Sequence, residues 1–233
     1  MIGRAYYLAT GLPTLGGPGE RPPLELVDLL AHVERSRVER LVEVVLMVED
    51  LRLRESFLRG EVEDPEALVM TPEQVRSEAP LPQELRAPEV EPEDVPRLPV
   101  DALWERYARW VEDVGLHRRS RFLRRWIRWE VGVRNALATA RARALELDPE
   151  PYLVAAELSS DEPAVGALVQ EWEAATDVAS SFEVLIRGRW TWLEWHRPWF
   201  TFEDDEFPAY AAELALQHRW WRVARPGGQA RAA

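Results

Sequence analysis

Six arginines crowd one short stretch of the chain: Arg118, Arg119, Arg121, Arg124, Arg125 and Arg128. A guanidinium is a permanent cation whose planar fork grips carboxylates, so this density suits docking onto an acidic surface. At the beginning of a helix the same cations oppose the helix dipole, at roughly 0.3–1 kcal/mol each. Something acidic must offset them, either Glu112 and Asp113 just upstream or the surface of a partner. A solvated basic face would carry the same residues, because exposed charges contribute little. Nucleic acid is a distant third choice, since the chain as a whole is negative.

Glu130 and Arg134 stand one helical turn apart beside Trp126, Trp129 and Val133. That spacing predicts an i,i+4 ion pair at the edge of a core, or a buried charge that fixes helix register. Asn135, the sole asparagine, is expected to bond a neighbouring loop. The run Glu203-Asp204-Asp205-Glu206 lies close to Trp195 and Trp199, and paired carboxylates beside aromatic platforms are the components of a carbohydrate site. A helix start capped by Asp204 or Asp205 explains the same residues more simply. The four histidines, at 32, 117, 196 and 218, lack the spacing of metal ligands. No nucleophile–base arrangement is visible, and the chain is expected to be no enzyme and to use no cofactor or metal.

Composition narrows the chemistry further. All 29 basic residues are arginine. Without lysine there is no phosphate-cradling Walker loop and no Schiff base, so Gly16-Gly17-Pro18-Gly19 reads as a turn. Without cysteine there is no disulfide or thiolate ligand. The net charge of −12 argues against general nucleic-acid or anionic-membrane binding. Hydrophobic residues at 46% with charged residues at 30% describe a globular chain that can bury a core. The longest apolar run, Val44 to Val48, is far too short to cross a bilayer, and Met1 to Gly19 lacks the apolar block of a secretory signal. The expectation is a cytoplasmic protein with no direct membrane insertion.

The elements that must position these residues read as all-α. Phe122, Trp126, Trp129, Val133, Leu137, Ala140 and Ala144 recur three or four apart, with Leu123, Ile127 and Val131 as a second row. This predicts one long central helix from Ser120 to Leu147, stopped at Asp148-Pro149. Before it, helices are expected after Pro22-Pro23, from Ser36 to Arg59, after a Thr71–Gln74 capping box, and from about Leu103 to Gly115. After it come one or two turns over 152–158 and helices over 163–176, 177–196 and from Asp204 or Asp205 onward. Trp190, Trp192 and Trp195 leave a strand open as the alternative over 189–196. Tyr210 and Trp221 mark the inner face of the last helix. Six prolines over 80–99, and all eleven tryptophans lying between 104 and 221, place a domain boundary there. The expected division is a helical subdomain over 1–79, a linker over 80–99, a tryptophan-rich helical subdomain over 100–225 and a tail over 226–233. Eleven rings are hard to hide in such a bundle, so some are expected at a protein–protein contact.

Three motifs carry a resemblance. They are Tyr6-Tyr7-Leu8-Ala9 with Gly11-Leu12-Pro13, then Phe122-Leu123 and Trp126 leading into Glu130 and Arg134-Asn135, then Phe207-Pro208-Ala209-Tyr210 with Trp221. In this order they resemble a bacterial family of domain-of-unknown-function type encoded among V-type ATPase subunits. The later two, over about residues 100–224, also look like the helical repeat of the V-type ATPase funnel protein, which is the d subunit in eukaryotes. The resemblance implies an all-helical, non-catalytic accessory or connector of a rotary ATPase, serving ion transport through protein–protein contacts. Its implied partners are V-type ATPase subunits of the central stalk or the proteolipid ring, which would hold it at the inner membrane's periphery. The funnel proteins seat the rotor shaft on that ring. The alternative is a free-standing helical adaptor that binds an acidic partner through Arg118 to Arg128.

Overall fold

The computed structural model describes residues 2–87, 98–199 and 201–224. Among them the secondary structure is entirely helical. The helices are α1 (Ile2–Thr10), α2 (Leu26–Val33), α3 (Glu39–Leu58), the single turn α4 (Pro72–Val75), α5 (Pro99–Arg118), α6 (Arg121–Ala144), α7 (Pro163–Glu173), α8 (Val178–His196) and α9 (Glu206–Ala224). Single 3₁₀ turns lie at Gln83–Leu85, Glu150–Tyr152 and Ala156–Leu158. The architecture is a multi-helix bundle around α6, which packs on α5, α7, α9 and the 156–158 turn. On the far side α3 packs against α2, α5 and α9.

The axis forms because its ends are well satisfied and its apolar stripe is buried. Ser120 Oγ accepts from the Leu123 amide at 3.0 Å, and Asp205 Oδ2 accepts from the Arg121 and Phe122 amides at 3.0 Å each. Three of the orphan donors at the helix start therefore have partners. At the other end Glu146 turns left-handed (φ 55°) and the Leu147 amide reaches Ala142 O at 2.9 Å, a Schellman-type stop. Phe122, Trp126, Trp129, Val133, Leu137 and Ala140 are buried as the stripe predicts, and so are Leu123, Ile127 and Val131. Ala144 is exposed, because the helix outruns its neighbours there.

The segment over 189–196 is helix, not strand: it belongs to α8, which leans its aromatic face on the axis. Trp192 stacks on Trp129 at 5.1 Å and carries the His196 ring at 4.3 Å on α8's own next turn. The capping boxes at Thr71–Gln74 and Asp177–Ser180 both form.

Several expectations change. The helix expected to end at Gly115 runs on to Arg118 and stops at Arg119, which is left-handed (φ 58°). Gly115 serves close approach instead: a Cβ there would lie 2.5 Å from Arg124 Cγ on α6. Residues over 1–79 and 100–225 do not hold separate cores, since α3 side chains such as Leu41, Val45 and Leu51 join Tyr107, Trp129 and Leu214 in one cluster. The first part of the expected linker is docked as well, because Leu85 is fully buried and its carbonyl accepts from Arg106 Nε at 2.8 Å. Residues 88–97 of that linker, and the tail over 226–233, lie outside the described residues.

Candidate functional site

The arginine cluster divides at the α5–α6 turn. Glu112, buried on α5, takes Arg124 Nε at 3.0 Å and Arg128 Nη2 at 2.7 Å, so the acid just upstream does neutralise part of the cluster. Arg125 turns to Glu162, 3.3 Å away before α7. These three belong to the chain's own ion pairs. Arg118, Arg119 and Arg121 have exposed side chains with no ion pair among the described residues, and Leu116 beside them is also exposed. The outward-facing part of the cluster is thus a three-arginine turn, smaller than the six-residue patch expected.

The Glu130–Arg134 pair does not form. Glu130 instead holds Arg189 of α8 through contacts of 3.0, 3.1 and 3.0 Å. Arg134 swings to Asp101 at the start of α5, at 2.9 Å, and lies 4.9 Å over the Trp104 ring. Each long side chain finds a better partner across the bundle than the weak one a turn away. Asn135 does bond a loop: its amide donates to Val154 O at 2.8 Å and accepts from Val154 N at 2.9 Å. Tyr210 donates to Pro13 O at 2.9 Å, and Trp221 is half-buried on α9.

The acidic run is also spent structurally. Asp205 caps α6 and not the last helix, Asp204 pairs with Arg37 at 2.6 Å, and Glu206 accepts from Thr201 and Phe202. Trp195 is 80% exposed, Trp199 stacks with Arg197, and no pair of carboxylates from this run converges beneath either ring. Each histidine sits against a backbone carbonyl, and no group of three or more potential metal ligands occurs among the described residues.

What the sequence pattern missed is a groove between α3, α5, α6, α8 and α9. Its volume is about 560 Å³. The floor is the face of α6 carrying Ile127, Glu130, Arg134, Leu137, Ala138 and Arg141. The walls come from Val45, Val48, Arg52, Glu55 and Arg59 of α3, from Asp101, Trp104 and Tyr107 of α5, from Arg189 of α8 and from Arg219 of α9. Beside the groove a single carboxylate, Glu49, serves three cations: Arg52 at 3.0 Å, Arg219 at 3.2 Å and Arg222 at 3.4 Å. Burial alone would raise the Glu49 carboxyl, but Arg219, Arg52 and Arg222 together hold it below the usual range. Glu130 is treated alike, burial being overridden by Arg189 with help from Arg52 and Arg219. The reverse strain falls on Arg219, lowered to about 9 by burial and by the nearby Arg52 cation. One sequence signal existed: Val45, Val48, Arg52, Glu55 and Arg59 recur at helical spacing, a second stripe on α3 that is charged at one end. No family model matches the chain, and no curated protein or solved structure matches it either.

Proposed function

We propose that the chain is a non-catalytic connector associated with a V-type rotary ATPase, working through packed helices and charge complementarity. The observation that carries this reading is the turn between α5 and α6, where Arg118, Arg119 and Arg121 point outward beside exposed Leu116. A cationic, partly apolar protrusion on a rigid helical frame is a docking feature for an acidic protein surface. The residues behind the resemblance also play architectural parts. The N-terminal motif meets the C-terminal one through the Tyr210–Pro13 hydrogen bond, while Trp126, Glu130 and Arg134 of the middle motif line the groove. The same turn suits a free-standing adaptor for another acidic protein, and the partner recovered distinguishes the two.

The test is co-purification of the tagged chain with the catalytic-head and central-stalk subunits of the rotary ATPase from native membranes. Recovery of these subunits, lost when Arg118, Arg119 and Arg121 become glutamine, is the expected result. Recovery of none of them refutes the ATPase association. Recovery unaffected by the triple substitution removes the docking role of the turn.

A further inference from the structure

We propose that the groove along α6 binds a small amphipathic anion, one carboxylate, sulfonate or phosphate group on an apolar body. Charge sets the sign of the ligand. Six arginines line the groove (52, 59, 134, 141, 189 and 219) against three carboxylates (Glu55, Asp101 and Glu130). The existing pairs absorb only part of this excess. Arg189 is consumed by Glu130, and Arg134 by Asp101. Arg52 and Arg219, however, share the Glu49 carboxylate with Arg222. Three guanidiniums bring about fifteen N–H donors to a group with about four acceptor sites, so donors are left over. Arg219 Nε illustrates the shortage: it is buried, 3.2 Å from Glu49 Oε1, yet makes no aligned hydrogen bond. An anion beside Arg52 and Arg219 supplies the missing acceptors, and it does so in a partly desolvated site where charge-assisted bonds are strongest.

Shape sets the size. A helix about 10 Å across with a 5.4 Å pitch fills roughly 420 Å³ per turn. The groove's volume of about 560 Å³ therefore admits little more than one turn of a partner helix. It falls within the range of about 300–1,000 Å³ usual for small-molecule pockets. The body of the ligand has apolar walls to meet, from Val45 and Val48 across to Ile127, Leu137, Ala138 and Leu216. A cation would face the excess of guanidiniums, and a wholly neutral molecule would leave their donors unmet.

The probe is 8-anilinonaphthalene-1-sulfonate, titrated into the full chain and followed by fluorescence and calorimetry, with N-phenyl-1-naphthylamine as its uncharged counterpart. The expected result is saturable binding of one sulfonate per chain, with the neutral compound at least about tenfold weaker, the loss of one charge-assisted contact. Octanoate and octyl phosphate should both displace the probe, and the stronger of the two identifies the head group preferred. Arg52→Gln and Arg219→Gln should each weaken binding by about tenfold or more. Should either arginine variant fail to fold, Ala138→Phe fills the groove without touching a charge and should abolish binding while unfolding stays cooperative. Non-saturable binding, equal affinity for the neutral compound, or wild-type affinity in Ala138→Phe would overturn the proposal. The Arg118, Arg119, Arg121 triple variant lies outside the groove and should bind the probe as wild type, which separates this inference from the docking role of the turn.

Discussion

Replacing Glu130 by glutamine leaves the Arg189 guanidinium in place but strips it of its counter-charge. The two side chains are 19% and 13% exposed and meet through three contacts near 3.0 Å, so neither has ready access to replacement water. Breaking a buried pair from one side costs about 3–5 kcal/mol, because a charge is left desolvated and uncompensated. Here residual solvent contact, and Leu185 O at 3.3 Å from Arg189 Nη1, favour the lower end, about 3 kcal/mol. Against a typical domain stability of about 5–15 kcal/mol that is a large fraction. Removing both partners, as Glu130→Met with Arg189→Met, should restore much of the loss, since paired burial is itself roughly neutral.

Urea unfolding of the wild type, both single variants and the double variant closes the cycle. The pH dependence supplies an independent check. Glu130's carboxyl is held below its ordinary range in the folded protein, so its contribution is present above the unfolded value and lost as pH falls through the folded one. The stability gap between wild type and Glu130→Gln should be full at pH 7 and shrink once pH drops below about 4. Asp50 and Glu213, whose carboxyls are raised by burial, run the other way, but they are common to both proteins and cancel in the difference. A gap under about 1 kcal/mol at pH 7, typical of an exposed pair, would contradict a desolvated Glu130–Arg189 contact. So would a gap that stays constant into acid.

Trp126→Ala should lose about 3–5 kcal/mol, since the ring is buried in the stripe that joins α6 to its neighbours; a near-neutral change in urea midpoint would mean the ring is not part of the core. Asn135→Ala orphans both the N–H and the C=O of buried Val154, at about 1–3 kcal/mol for each group, and hydrogen exchange at the Val154 amide should accelerate. Unchanged protection there would show that the loop is held by something else. Asp205→Ala removes the acceptor for the Arg121 and Phe122 amides and should cost about 0.5–2 kcal/mol, while raising local exchange at the first turn of α6. If exchange rises in α9 and not in α6, the carboxylate serves its own helix instead.

The helices were legible in the order of the amino acids alone. Spacing of three and four placed the stripe of α6, Ser120 marked its start, and Thr71 with Gln74 specified a capping box, because all of these act within about four residues and helical geometry fixes what such neighbours can reach. Composition also limited the chemistry: an arginine-only, cysteine-free chain has no lysine amine or thiol to use. Partner choice was decided elsewhere. Glu130 lies 59 residues from Arg189, and Arg134 lies 33 residues from Asp101. An i,i+4 pair contributes only about 0.2–0.5 kcal/mol, so once the bundle offered each side chain a less solvated partner, the local pairing was too weak to persist. Gly115 shows the same limit, since a glycine near a helix end fits both a stop and a close approach, and only the Arg124 side chain lying against it selects the second. Asp205 capping a helix that begins 84 residues earlier, and the groove whose five helices converge on shared cations, depend on where α3, α8 and α9 come to rest. Long side chains on different helices meet according to how apolar faces pack, and that packing is set by the whole core at once.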